Sequence, residues 1–224
     1  MNQHVNCFLC KHSLPEWKTA IETNSQLLNF KKGESIFKEG DAVTGFYFIH
    51  SGKVKVHKQW GSDKELIIKF ASEGDVLGHR AIGSNEQYPV SATAIEPVNV
   101  CFINTIFFQT SLKVNNELTY QMMLFYAHEL QEAELSMRNM VHMDVKSRIA
   151  EALLKIKSLF GVNNEGFING ALSRQDIASY AGTTYETLFK TLNELVKEEV
   201  LLLDGKNILI KDELKLKEGI RTRE

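Results

Sequence analysis

Three cysteines carry the most reactive side chains of this 224-residue chain. Cys7-Phe8-Leu9-Cys10 is a CxxC pair, and Cys101 stands far downstream in an apolar run. Thiolates so spaced suit an iron–sulfur cluster, a zinc ion or a redox-active dithiol. They are equally consistent with a CxxC that binds nothing and a small core residue at 101. An odd number of cysteines fits a reducing compartment better than a disulfide framework. The seven histidines (4, 12, 50, 57, 79, 128 and 142) add no metal-ligand spacing. There is no H-x-H pair of a metal-dependent jelly-roll enzyme, no Gly-rich phosphate loop, no nucleophile elbow and no H-E-x-x-H helix. An enzyme is therefore not expected.

A second set of informative residues lies near the C-terminus. Ser173-Arg174-Gln175-Asp176 has the form of a helix start, with Ser173 as N-cap and Asp176 at the third helical position. Ile177, Ala178 and Ala181 give that helix a small apolar face, and Gly182 ends it. Thr183-Thr184-Tyr185-Glu186 restarts a helix in the Thr-x-x-Glu pattern of a capping box, with Leu188, Leu192, Leu195 and Val196 as its buried stripe. Two short helices joined by a tight Ala-Gly turn predict a helix-turn-helix. Apolar runs at 200–203 and 208–210 flank Asp204-Gly205-Lys206-Asn207, a hairpin signal that predicts a wing.

In such an arrangement the start of the second helix enters the major groove of double-stranded DNA. Tyr185, Glu186, Phe189 and Lys190 face outward there. Lysine donates to guanine edges, glutamate accepts from cytosine N4, and an aromatic ring meets a thymine methyl. Thr183 and Thr184 suit phosphates at the helix N-terminus, as do Arg174 and Lys206 on flanking elements. Plainer readings stand beside these: Glu186 as a capping acid, Phe189 as half-buried core, and the whole unit as a ligand-binding or protein-interaction module.

These side chains need a scaffold. From Phe30 to about Ile103 the texture is β: short apolar runs at 35–37, 46–49, 54–56, 66–70 and 98–103 alternate with glycines at likely turns. That spacing predicts a small β-roll or jelly roll. Residues 116–143 contain neither Gly nor Pro and read as one long helix. Met123, Tyr126, Leu130, Ala133, Met137 and Met140 fall on heptad positions between charged neighbours such as Glu129, Glu132, Glu134 and Arg138. A narrow apolar seam of this kind predicts a two-stranded homodimer contact. Met122 and Phe125 form a second stripe that would face the β domain; the alternative is a helix packed only on its own domain. Residues 144–161 continue as an amphipathic helix ended by Gly161.

The fold class expected is therefore α+β: an N-terminal β-roll (1–115), a dimerisation helix (116–143) and a winged helix-turn-helix (144–224). Net charge is −2, and from residue 144 onward thirteen Lys+Arg face thirteen Asp+Glu. DNA binding must then come from local placement on one helix, not from bulk charge. No apolar run reaches the ~18–20 residues that cross a bilayer, and the N-terminus has no secretory pattern, so no membrane partner and a cytoplasmic location are expected.

Several segments carry a family resemblance. They are Gly33-Glu34-Ser35-Ile36-Phe37-Lys38-Glu39-Gly40-Asp41, then Phe46-Tyr47-Phe48-Ile49-His50-Ser51-Gly52-Lys53-Val54-Lys55-Val56, and Gly74-Asp75-Val76-Leu77-Gly78. With Arg174-Gln175-Asp176-Ile177-Ala178 and Glu186-Thr187-Leu188-Phe189-Lys190, they make the chain resemble the CRP/FNR family of bacterial regulators over nearly its full length. The resemblance implies a cyclic-nucleotide-binding-like β-roll, a dimer on palindromic DNA with half-sites about 34 Å apart, and RNA polymerase as a partner. It implies that Glu186 and Lys190 read bases. Tyr185 departs from the arginine of the cyclic-AMP type.

The residues facing the effector also depart from that type. Where cyclic-nucleotide members carry Gly-Glu for the ribose, this chain has Gly78-His79; where they carry Arg-Ser for the phosphate, it has Tyr88-Pro89-Val90. A buried phosphate without its arginine lacks its main charge partner. Cyclic AMP is not expected. Gly78, His79, Arg80, Tyr88 and Val90 are the candidate effector pocket, with Arg80 able to replace the missing arginine only after rearrangement of the loop. Gly78–Ser84 and Val100-Cys101 look more like the oxygen-sensing FNR branch, which implies an iron–sulfur cluster on Cys7, Cys10 and Cys101. A third N-terminal cysteine is missing, its position falling on Glu16, so a fourth ligand would be His12, Glu16 or Asp75.

Overall fold

A computed structural model describes residues 8–61, 64–83, 86–170 and 172–220. The chain forms two compact units, Met1–Leu130 and Gln131–Glu224.

The first unit opens with two short helices, α1 (Phe8–His12) and α2 (Lys18–Asn24), which the sequence patterning did not predict. Eight strands follow: β1 (Ser25–Phe30), β2 (Ser35–Phe37), β3 (Gly45–Ser51), β4 (Val54–Trp60), β5 (Lys64–Ala71), β6 (Val76–Leu77), β7 (Ser91–Ala94) and β8 (Val98–Asn104). They make two antiparallel four-stranded sheets in the orders β1-β8-β3-β6 and β2-β7-β4-β5.

The sheet containing β3 and β8 is covered on both faces. Tyr47, Ile49, Val98 and Val100 join the core between the sheets. Their neighbours of opposite parity, Phe46, Phe48, Cys101 and Ile103, join a second core with Leu9, Ile21, Phe108, Leu118 and Met122. Strand side chains alternate faces, so two covers turn an alternating pattern into the continuous apolar runs seen at 46–49 and 98–103. Leu9 and Ile21 come from α1 and α2. Phe108 lies on α3 (Thr105–Val114); Leu118 and Met122 lie on α4 (Asn116–His142). Asn104 caps α3 by accepting from the Phe107 N–H at 2.9 Å, and buried Asn115 separates α3 from α4, accepting from the Leu118 N–H at 3.1 Å.

One residue of the heptad seam on α4 is placed differently from the expectation. Tyr126 is half-buried, packs on the second core, and its hydroxyl donates to the His79 carbonyl at 2.5 Å. Met140 reaches the backbone of Gly182. The exposed apolar residues are Tyr120, Met123, Leu124, Leu130, Met137, Met140 and Val141. Exposed Ala127 and Ala133 lie between them. Met123, Leu130, Ala133, Met137 and Met140 of the expected seam are thus exposed, and Tyr126 alone of the six turns partly into its own unit. Glu129, read as a solvated neighbour of the seam, has only 12% of its side chain exposed.

In the second unit α5 (Val145–Phe160) starts at Asp144, whose carboxylate caps the Ser147 N–H at 2.7 Å, and stops at Gly161. Helices α6 (Arg174–Tyr180) and α7 (Tyr185–Lys197) follow, then the hairpin β9 (Leu201–Asp204) with β10 (Asn207–Ile210), and α8 (Glu213–Glu218). Ile149, Leu153, Ile156, Ile177, Leu188, Leu192 and Leu195 form its core. The large hydrophobic content of one α7 face is what seats that helix and leaves its polar face to solvent.

Candidate nucleic-acid interface and effector cavity

Helix α6 begins as expected. Ser173 and Asp176 form a reciprocal capping box. Helix α7 begins one residue later than its sequence pattern suggested. Thr184 is the N-cap and its hydroxyl accepts from the Thr187 N–H at 3.2 Å. Glu186 is thus at the second helical position, outside any capping box, and exposed. The reading of Glu186 as a capping acid is corrected, and its carboxylate stays available to solvent.

Tyr185, Phe189 and Lys190 share this exposed surface. Tyr185 is 44% exposed and Phe189 55%, which removes Phe189 from the core. Their rings stack with centroids 6.4 Å apart and planes 13° from parallel. This flat aromatic plate beside one carboxylate and one ammonium was not read from the sequence, although the i, i+4 spacing of two aromatics was its signal. Thr183 and Thr184 precede it at the helix start, where unpaired N–H groups favour an anion.

Two elements hold the plate in position. Gly182 turns the chain with φ +62°. Arg148 of α5 donates to the Ala181 carbonyl at 3.1 Å, the Gly182 carbonyl at 3.2 Å and the Met143 carbonyl at 3.0 Å. One guanidinium so ties the turn to the end of α4. Sequence reasoning missed Arg148, because a basic residue on an amphipathic helix reads as solvated.

Arg174 and exposed Lys206 border one small cavity between α6 and the wing. The Arg174 guanidinium is half-buried, and its Nη2 reaches the Gly205 carbonyl at 3.4 Å. Its buried Nη1 finds no acceptor among the described residues. Burial lowers its pKa, opposed by the charge of Tyr185. An incompletely satisfied guanidinium at a wing tip is suited to a phosphate oxygen.

In the first unit, Gly78, His79, Arg80, Tyr88 and Val90 line one cavity together with Lys69 and five apolar or imino side chains. Its volume is about 10 Å³, space for about one water molecule. Tyr88 fills much of the interior: it is buried, stacks on Phe37 at 4.1 Å and donates to the Gly45 carbonyl at 2.7 Å. Gly78 has φ +84°, and a Cβ there would lie 3.1 Å from the Tyr88 ring, so only glycine combines this turn with this plug.

Beside the cavity, Glu129 of α4 accepts from Lys69 at 2.7 Å and from Arg80 at 2.7 Å; His79 Nε2 lies 3.5 Å away. His79 Nδ1 donates to the Val76 carbonyl at 2.8 Å. Burial would raise the Glu129 carboxyl, but His79, Lys69 and Arg80 outweigh it and hold that carboxyl well below the usual range. Burial also pushes His79 below the ordinary imidazole value, against the pull of Glu129.

Cys101 is 2% exposed, and Cys10 packs on the same core from α1. Cys7 lies outside the described residues. Among the described residues no group of three His, Cys, Asp or Glu side chains is arranged to hold a metal.

Residues 27–115 match the family of cyclic nucleotide-binding domains, and residues 147–218 match that of Crp-like helix-turn-helix domains. The chain is 30% identical over 212 residues to the fumarate and nitrate reduction regulatory protein of Salmonella typhimurium, covering 91% of this chain and 81% of that one. The chain belongs to the CRP/FNR family. It is accordingly a DNA-binding transcription regulator with a helix-turn-helix and a cyclic-nucleotide-binding-like domain.

A second relative within the family is the CRP-like cAMP-activated global transcriptional regulator of Mycobacterium tuberculosis, 26% identical over 204 residues, which are 90% of this chain and 91% of that one. The fold matches that of FixK2 from Bradyrhizobium japonicum with a TM-score of 0.74 at 22% identity, over 87% of this chain and 96% of that one. No helix among the described residues is long and apolar enough to cross a membrane.

Proposed function

We propose that this regulator acts as a homodimer on a palindromic DNA site, with α7 in the major groove and a signal received in the β-roll. Residues 1–115 serve as the sensor, 116–143 as the dimer helix and 144–224 as the DNA-binding part. The observation that carries the reading is the outward set on α7: Tyr185, Glu186, Phe189 and Lys190 are all exposed, on a helix whose opposite face is fully buried. Lys190 and Glu186 pair with base edges, and the aromatic plate covers thymine methyls. Thr183, Thr184, Arg174 and Lys206 hold phosphates. The exposed stripe from Tyr120 to Val141 supports pairing with a second copy, since an apolar helix face needs a partner. RNA polymerase is the further partner that the family membership suggests.

Duplex selected from a random pool tests this reading. Binding by the full chain should weaken steeply with salt, in proportion to the phosphates contacted. Lys190→Ala should cost about 1–3 kcal/mol on the selected site and little on random DNA. Equal loss on both sequences would move Lys190 from base reading to phosphate contact.

The signal has two readings, the first an unidentified small ligand in the β-roll. Buried Tyr88, standing where cyclic-nucleotide members place their phosphate-binding residues, argues against cyclic AMP as the effector; calorimetry showing micromolar binding would overturn this. A thiol-ligated iron–sulfur cluster is the second reading, favoured by Cys10 and Cys101 packing on one core. The described residues do not supply a complete ligand set for it. Iron and sulfide content and visible absorption of protein purified without oxygen decide between them. Bound iron and sulfide lost in Cys101→Ser would support the cluster; colourless, iron-free protein that still binds DNA would exclude it.

A further inference from the structure

Lys69 and Arg80 are the fixed cations on the wall of the β-roll cavity, and both are neutralised from outside it. Lys69 pairs with Asp75 at 3.2 Å and with Glu129 at 2.7 Å; Arg80 pairs with Glu129 at 2.7 Å. The remaining wall is largely apolar, with Phe37, Val56, Val76, Leu77 and Val90. Glu129 belongs to α4, whereas Arg80 follows β6 and Lys69 lies on β5. A single carboxylate therefore fastens the long helix to the cavity wall, and Tyr126 adds a second tie from the same helix to the His79 carbonyl.

We propose that the β-roll takes a compact organic anion, an oxyanion head on an apolar body, whose head replaces the Glu129 carboxylate between Lys69 and Arg80. This rests on the reading of the β-roll as the sensor. A half-buried cation pair stripped of its carboxylate is left with uncompensated charge. A competing carboxylate or phosphate that supplies equivalent charge-assisted hydrogen bonds removes that cost. The apolar lining takes the body of the ligand once the cavity opens. The exchange frees α4 from the loop after β6, which is how such a ligand would favour one position of the helix over another. The anion partner in this chain is thus at 69 and 80, not at Tyr88-Pro89-Val90, where cyclic-nucleotide members place their arginine.

The test is a calorimetric titration of the full-length protein with hexanoate, its neutral amide hexanamide, and inorganic phosphate. Glu129→Gln removes the internal competitor and should tighten hexanoate binding at least tenfold over wild type. Glu129→Asp keeps the charge with a shorter reach, is the less disruptive change, and should fall in between. Adding Arg80→Met or Lys69→Met to Glu129→Gln should abolish the gain. Phosphate binding with the same dependence on Arg80 and Lys69 would show that the head alone suffices; hexanoate binding without phosphate would show that the apolar body is needed, and either supports the site. Hexanamide binding as well as hexanoate would overturn it. So would unchanged hexanoate affinity in both Glu129 variants, or a gain that survives loss of Arg80 and Lys69. DNA affinity measured in parallel separates the two layers: if hexanoate binds as described but DNA affinity does not respond, the anion site stands and the sensor reading falls.

Discussion

Gly182→Ala tests how the reading helix is held. Residue 182 has φ +62°, and a Cβ built there lies 2.6 Å from both Sδ and Cε of Met140. Two costs follow. A left-handed alanine costs about 1–2 kcal/mol. The Met140 contact adds less, because its clashing atoms are the far end of a flexible side chain that is 39% exposed and can rotate away for under about 1 kcal/mol. The backbone should dominate, for a total of about 1.5–2.5 kcal/mol. Urea melts followed by helical circular dichroism read it. Tryptophan fluorescence would not, since Trp17 and Trp60 both lie in the first unit. In a Met140→Ala background Gly182→Ala should still cost about 1–2 kcal/mol, and Gly182→Asn should be milder than alanine in either background. Disappearance of the cost once Met140 is shortened would refute the argument, because the clash and not the turn would then have set it.

Three further outcomes are expected. Replacing thymines under the α7 plate by deoxyuridine, which removes only the methyl, should weaken binding by about 1 kcal/mol per contact; in Phe189→Ala protein, thymine and deoxyuridine sites should bind more nearly alike, as gel shifts would show. Leu153→Ala, at a fully buried position of α5, should destabilise the second unit by about 2–5 kcal/mol in urea melts. Glu65 has its carboxyl lowered to about 2, chiefly by the hydrogen bond with His57 and against the effect of burial, with Lys55 assisting. A depressed carboxyl stabilises above its unfolded value and loses that contribution as pH falls toward the folded one. Melting temperature should therefore drop between about pH 5 and pH 2, and Glu65→Gln should be less stable than wild type at neutral pH while showing a smaller drop. Parallel pH profiles for the two proteins would exclude that role.

Local chemistry was legible wherever neighbours in sequence are neighbours in space. The Ser173–Asp176 capping box, the stop at Gly161 and the Asp204–Asn207 hairpin all act over a few residues, and the sequence announced each. So did the family motifs. Strand β7, Ser91–Ala94, was silent because four small residues carry no apolar alternation, and β1 because it runs over an edge of its sheet with little burial. Both gain their place from pairing with distant strands.

Register was the least visible property. On α7 a shift of one residue moved the cap from Thr183 to Thr184 and released Glu186 to solvent, since either threonine can cap a helix and the turn at Gly182 places Thr184 at its start, although only Thr183 stands three residues before a glutamate. On α4 the heptad pattern groups Tyr126 with five residues that the fold leaves exposed. That Tyr126 packs on its own unit instead is visible only in the fold, where its hydroxyl meets the His79 carbonyl. Glu129 could not be singled out, because a glutamate on a helix reads as solvated until Lys69 and Arg80, 60 and 49 residues away, are folded around it. The amino-acid sequence by itself determined the elements, their caps and the family, because those depend on residue type and short spacing. Which face each helix buries, which thiols share a core and which charges meet at Glu129 were decided only by the tertiary structure, because burial and pairing over such separations exist only once the chain is closed.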